Sequence, residues 1–232
     1  MSIILYELAG ADPDIRFSPF VWRTRMALAH KGLDYEGRPW RFTEKETIEP
    51  SGQGKVPVLV DGDRWIADSW AIAEHLEAAY PDRPSLFGGA GGREGARFVQ
   101  SWFETGVMKF FAQLVIKDVY GLLHEKDQDY FRTSREERFG KTLEELCPDP
   151  EAAKQGLAQA LTPMRQILKG QPYLGGDEPS YMDYVPFGAF MWARCVSDVQ
   201  LLAEDDPVEA WRRRLLDAHG GAARQAPCKE AA

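Results

Sequence analysis

Cysteine and histidine are scarce in this sequence, and their scarcity removes several classes of chemistry. The three cysteines, Cys147, Cys195 and Cys228, are odd in number, widely spaced and form no C-x-x-C, so neither a disulfide framework nor a cysteine zinc site is expected. The four histidines, His30, His75, His124 and His219, show no H-E-x-x-H or comparable spacing, and no metal is expected. Glycine is plentiful, but it builds no G-x-G-x-x-G; "FGGAGGREG" lacks the Lys-Ser/Thr pair that meets phosphates and reads as a linker. Basic residues are outnumbered, 28 against 36 acidic for a net charge of −8, and no Lys/Arg run makes a local exception to that balance, which argues against a nucleic-acid partner. No apolar run approaches the roughly 20 residues that span a bilayer. "MSIILYELAGADPD" lacks the charged start and long apolar core of a signal peptide, so no membrane partner and a cytoplasmic location are expected.

The order of elements is legible in the first eighty residues. "SIILYEL" is a short β-prone run, and Pro19 to His30 follows as a helix with Trp22, Met26 and Ala29 on one stripe. "DYEGRPWRF" reads as a second strand. "VPVLVDGDRWIAD" reads as two strands around the turn Asp61-Gly62-Asp63, and "DSWAIAEHLEAAYP" as a helix ended by Pro81. Later segments show helical spacing only: 93–123, 128–146, 150–169, 180–199 and 207–219, with a loose tail from 220. The expected fold class is therefore α/β followed by all-α. Its parts are a βαβ-ββα domain over 1–80, a linker over 81–95 and a helical domain over 96–232.

Four short stretches invite functional readings. Ser18-Pro19 opens the first helix, where Ser can accept a free backbone N–H and Pro lacks the donor that would be orphaned; a hydroxyl there can equally hold an anion such as a thiolate. Pro57 opens a strand, as an edge proline does. Asp68-Ser69 stands at a helix start, as a cap does. Ser180 and Asp183 have the spacing of a capping box and are read as folding residues.

In this order, "SPFVWRTRMAL", "GQGKVPVLVDG" and "ADSWAIAEHL", inside a βαβ-ββα pattern followed by helices, resemble the glutathione transferase family over nearly the whole chain. The first stretch is similar to the classes whose catalytic residue opens the first helix, with serine where omega enzymes carry cysteine. The region from "RFTEKETIEP" to "ADSWAIAEHLE" is most similar to bacterial glutathione-dependent β-aryl etherases and fungal FuA enzymes.

The resemblance implies a thioredoxin-like first domain, glutathione as co-substrate and Ser18 as the catalytic residue. It implies a cis Val56–Pro57 bond, with the Val56 backbone pairing the cysteinyl part of glutathione, and Asp68 and Ser69 at the γ-glutamyl end. Lys45, with Gln53 and Lys55 nearby, falls where related enzymes place a cation for the glycyl carboxylate, although a solvated lysine satisfies the same pattern. On the later helix Phe103, Val107, Phe111 and Leu114 share a stripe, while Trp102, Met108 and Phe110 lie elsewhere. Phe103 and Val107 are accordingly candidates to line an electrophile pocket, with core or dimer contact as the alternative. A homodimer is expected from the resemblance and from this surplus apolar surface. Transferase chemistry on an apolar or aromatic electrophile, including β-aryl ether cleavage, stands first. Glutathione-dependent isomerisation or reduction, and non-catalytic binding, are the alternatives.

Overall fold

The alternation of Ile3, Leu5 and their neighbours makes a central strand, and the rest of the first domain is arranged about it. The computed structural model describes residues 3–229; Ser2 of the predicted first strand and residues 230–232 of the predicted tail lie outside them. Strands β1 (Ile3–Leu8), β2 (Tyr35–Trp40), β3 (Val58–Asp61) and β4 (Arg64–Ala67) form one sheet in the order β2-β1-β3-β4. β1 runs parallel to β2 and antiparallel to β3, and β3 pairs antiparallel with β4 across a tight turn at Gly62, φ 61°.

Two helices complete this domain. α1 (Pro19–His30) starts on Ser18 with Pro19 in its first turn and stops before Gly32, whose φ of 61° suits a residue without Cβ. α2 (Ser69–Ala79) starts on Asp68. A 3₁₀ segment, Lys45–Ser51, connects β2 to β3.

Beyond residue 67 the named elements of the described residues are helical: α3 (Gly92–Trp102), α4 (Met108–Leu122), α5 (Glu125–Phe139), α6 (Pro150–Ala160), α7 (Thr162–Leu168), α8 (Tyr181–Val196) and α9 (Pro207–Gln225). α8 is buried at every position but Met182 and packs against α1, α3 and α4. Its start is the predicted capping box. Asp183, itself buried, accepts from the Ser180 backbone N–H at 3.0 Å, from Leu174 N–H at 2.8 Å and from the Trp211 indole at 2.8 Å.

Four helical expectations are corrected, the first being 150–169, which divides at Leu161 into α6 and α7. The segment 93–123 is broken by a π-helical turn, Phe103–Val107, whose extra residue shifts the phase of everything after it. The helix expected to reach residue 146 stops at Phe139, because Gly140 takes a left-handed cap at φ 66°. The tail expected to be loose from residue 220 carries helix to Gln225, resumed after non-helical backbone at Ala218–Gly221.

Candidate active site

The sheet register brings the predicted residues to one edge. Tyr6 near the end of β1 pairs with Val58 at the start of β3, which pairs with Ala67 at the end of β4, while Leu8 pairs with Trp40 at the end of β2. The loop leading to Ser18, the Val56–Pro57 bond, the Asp68-Ser69 pair and the connection carrying Lys45 therefore all leave from the same edge of the sheet.

Ser18 is 3% exposed, and its Oγ accepts the Val21 N–H at 3.3 Å. The neighbouring Phe20 N–H has no partner among the described residues. The approach to Ser18 is held from three sides. Phe17 N–H bonds to Leu8 O at 3.4 Å, the Arg16 carbonyl accepts the Trp22 indole at 2.8 Å, and the Cys195 thiol lies 3.3 Å from the same oxygen. α8 comes so close that a Cβ on Gly188 would sit 2.2 Å from the Pro19 carbonyl oxygen. Arg23, fully buried one turn further along α1, pairs with Glu104 at 2.6 Å and donates to the Val185 carbonyl at 3.3 Å. It also lies 4.7 Å from the centre of the Phe20 ring.

The Val56–Pro57 bond is cis. No hydrogen bond satisfies the Val56 N–H or C=O among the described residues, so this stretch offers a strand-like backbone without a strand beside it. Asp68 adopts φ 80°, ψ 131°, a left-handed conformation costly for a residue with Cβ. Its Oδ1 caps α2 through Trp70 N–H at 2.9 Å and Ala71 N–H at 3.2 Å, and its Oδ2 takes no bond among the described residues. The Ser69 Oγ is likewise without a partner among them, while its carbonyl accepts the Tyr181 hydroxyl at 2.8 Å. A helix start with an unengaged carboxylate oxygen and an unengaged hydroxyl suits a ligand carrying both an ammonium and a carboxylate.

Lys45 is exposed and shares a shallow depression with Glu49, Gln53 and Gly54. It makes no ion pair among the described residues, and its ammonium stands 4.7 Å over the ring of Tyr130 on α5. Lys55 is exposed outside that depression. A larger cleft, about 610 Å³, lies at the end of α8 against α9 and contains none of the predicted residues.

Phe103 and Val107 do not line a pocket. Both are 0% exposed in the helical core, where Phe103 packs on Phe111 and Phe111 on Phe190. Phe110 is occupied as well, since a Cβ on Gly156 of α6 would meet its ring at 2.3 Å. Each such burial contributes about 1.5–3 kcal/mol to the fold. Phe20, 37% exposed two residues beyond Ser18, is the exposed aromatic ring nearest to it in sequence. Gly188, Tyr130 and Tyr181 escaped the sequence reading. Only "VPFGAF", a glycine inside a helical run, gave a signal.

Residues 96–222 match the family model described as "Glutathione S-transferase, C-terminal domain", and residues 17–79 that described as "Glutathione S-transferase, N-terminal domain". A zeta-class glutathione S-transferase of Euphorbia esula is 44% identical over 70 residues, 28% of this chain and 31% of that one, so the match spans about a third of that relative. The crystal structure of glutathione transferase GSTFuA3 from Phanerochaete chrysosporium is 28% identical with a TM-score of 0.78, covering 97% of this chain and 94% of that one. A glutathione S-transferase of Ceriporiopsis subvermispora, solved in complex with glutathione, shares the fold at 22% identity and TM-score 0.79, covering 94% and 96%.

Proposed function

The chain belongs to the glutathione S-transferase family, and on that premise we propose that it is a serine-type glutathione transferase acting on an apolar or aromatic electrophile. The observation that carries this reading is the gathering of Ser18, Val56–Pro57, Asp68-Ser69 and Lys45 at one sheet edge.

Glutathione supplies the nucleophilic sulfur. Ser18 acts on it as a donor: Oγ accepts from its own helix, but the hydroxyl proton remains to be given. The start of α1 and the Phe20 N–H favour the anionic form of the thiol. Lowering a thiol pKa from about 8.5 to about 6.5 corresponds to roughly 2.7 kcal/mol, within reach of a hydroxyl donor and a helix end together. The unpaired Val56 backbone holds the cysteinyl part, Asp68 and Ser69 the γ-glutamyl end and Lys45 the glycyl carboxylate.

Serine cannot form a mixed disulfide with glutathione, so addition, substitution or ether cleavage is favoured over thiol exchange. Likeness to GSTFuA3 agrees with placement near the etherase and FuA branch. The Phe20 ring offers an apolar surface for an aromatic electrophile beside Ser18. The chain is expected to form a homodimer. Phe98 on α3 is 74% exposed and gives such an association an apolar anchor.

The test is calorimetric titration with glutathione, followed by a panel of electrophiles that includes a β-aryl ether and a chloronitrobenzene. Saturable glutathione binding and glutathione-dependent turnover of at least one electrophile are expected. Absence of binding would reject the reading.

A further inference from the structure

The connection carrying Lys45 is not a free loop of the first domain, because helix α5 of the second domain holds its first part, residues 42–45. Thr43 donates both its N–H, at 3.0 Å, and its hydroxyl, at 2.7 Å, to one oxygen of Asp127 in the first turn of α5. Asp127 is fully buried, and its other carboxylate oxygen is buried without a partner. A buried acceptor left unsatisfied is destabilising, so this carboxylate is a poor choice for stability alone. Phe42 packs between Tyr130 and Phe131, with Arg135 stacked on Phe42 and Phe131 at 5.1 and 4.6 Å. Glu44 pairs with Lys126 at 2.7 Å. At the end of this anchored run the Lys45 ammonium lies 4.7 Å over the Tyr130 ring, and the stem of Lys45 packs against Gly54.

We propose that Tyr130 is a positioning residue for glutathione. With the Thr43–Asp127 tie behind it, the ring holds Lys45 ready for the glycyl carboxylate, so that the helical domain sets affinity for the tripeptide. The proposal rests on the glutathione-binding reading above. Lysine has a flexible four-carbon stem, and immobilising it at the moment of binding costs entropy. A ring beneath the ammonium restricts the stem beforehand without neutralising the charge, as an ion pair would. The benefit is confined to ligands that carry the glycyl carboxylate; a dipeptide lacking glycine gains nothing from it.

The experiment compares calorimetric Kd values for glutathione and for γ-glutamylcysteine, which lacks the glycine, across wild type, Lys45→Ala, Tyr130→Leu, Tyr130→Phe and Thr43→Val. Tyr130→Leu is expected to weaken glutathione by about five-fold, the equivalent of one exposed cation–π contact, and to leave γ-glutamylcysteine unchanged. Tyr130→Phe keeps the ring and should bind both ligands as wild type does. Thr43→Val should shift glutathione in the same direction as Tyr130→Leu. If Tyr130→Leu weakens both ligands equally, the residue is merely structural and the proposal fails. If Lys45→Ala removes the preference for glutathione while Tyr130→Leu keeps it, the glycyl site stands and the positioning role falls. A preference untouched by Lys45→Ala overturns the assignment of the glycyl site and this proposal with it.

Discussion

The Oγ of Ser18 lies 3.3 Å from the backbone nitrogen of Val21, so one hydroxyl caps α1 while its proton is left to donate elsewhere. The cap and the catalyst are therefore not rival readings of this residue. Capping uses a lone pair, and thiol activation uses the hydrogen. Both depend on where the start of α1 is held, and that place is set by packing against α8.

Gly188 is the residue through which this dependence can be tested. A Cβ there would sit 2.2 Å from the Pro19 carbonyl, too close for backbone to tolerate without moving the first turn of α1. Gly188→Ala is expected to destabilise by about 1–3 kcal/mol and to lower kcat/KM by about ten-fold, because a small displacement of a reacting group is costly. Gly121→Ala in α4, where nothing lies within 4 Å, serves as the control. It should leave activity alone and stabilise by about 0.4–1 kcal/mol. Urea unfolding and steady-state kinetics on the two variants check both statements.

Asp183 should behave in the opposite way. It is buried beneath donors from Ser180, Leu174 and Trp211, and burial raises its pKa above the usual carboxylate value. Asp183→Ala strands those donors and should cost about 3 kcal/mol or more. The kcat of the fraction that remains folded should stay within about two-fold of wild type. Active-site titration by glutathione calorimetry separates the folded fraction from intrinsic turnover.

Acid should loosen the contact between the domains through two histidines that share one hydroxyl. Tyr184 OH lies 2.6 Å from His30 Nδ1 and 2.8 Å from His219 Nε2. Burial, and after it the neighbouring His219, push His30 down to about 4, and burial lowers His219 as well. An unfolded histidine takes its proton near 6.5. The unfolded state therefore binds protons first as pH falls, and the stability present above about pH 6.5 is lost progressively toward pH 4. His30→Gln should flatten that part of the profile, measured as unfolding midpoint against pH.

Much of the fold was legible in local chemistry. Ser18-Pro19, the Asp61-Gly62-Asp63 turn and the Ser180–Asp183 box are signals carried by adjacent residues, and each sits where its chemistry places it. Gly140 was an equally readable stop that the length of the helical pattern obscured. Phe103 and Val107 show where periodicity ends: it identifies an apolar face and does not say what covers it. The π-helical turn made the stripe harder to follow, since Val115 is buried where the straight-helix pattern placed Leu114. The Lys45–Tyr130 and Thr43–Asp127 contacts join residues some eighty positions apart across two domains, and no local pattern announces them.

The most direct test of the account is the thiol pKa of glutathione bound to wild type and to Ser18→Ala, read from thiolate absorbance as pH is varied. Loss of the cap alone should cost about 1 kcal/mol of stability. The account predicts in addition that the bound thiol pKa rises toward its free value near 8.5 and that kcat/KM falls by about ten-fold or more, each factor of ten being about 1.4 kcal/mol. Ser18→Cys should divert activity toward thiol exchange. An unchanged thiol pKa with unchanged turnover in Ser18→Ala would contradict the account and leave the Phe20 N–H as the activating group.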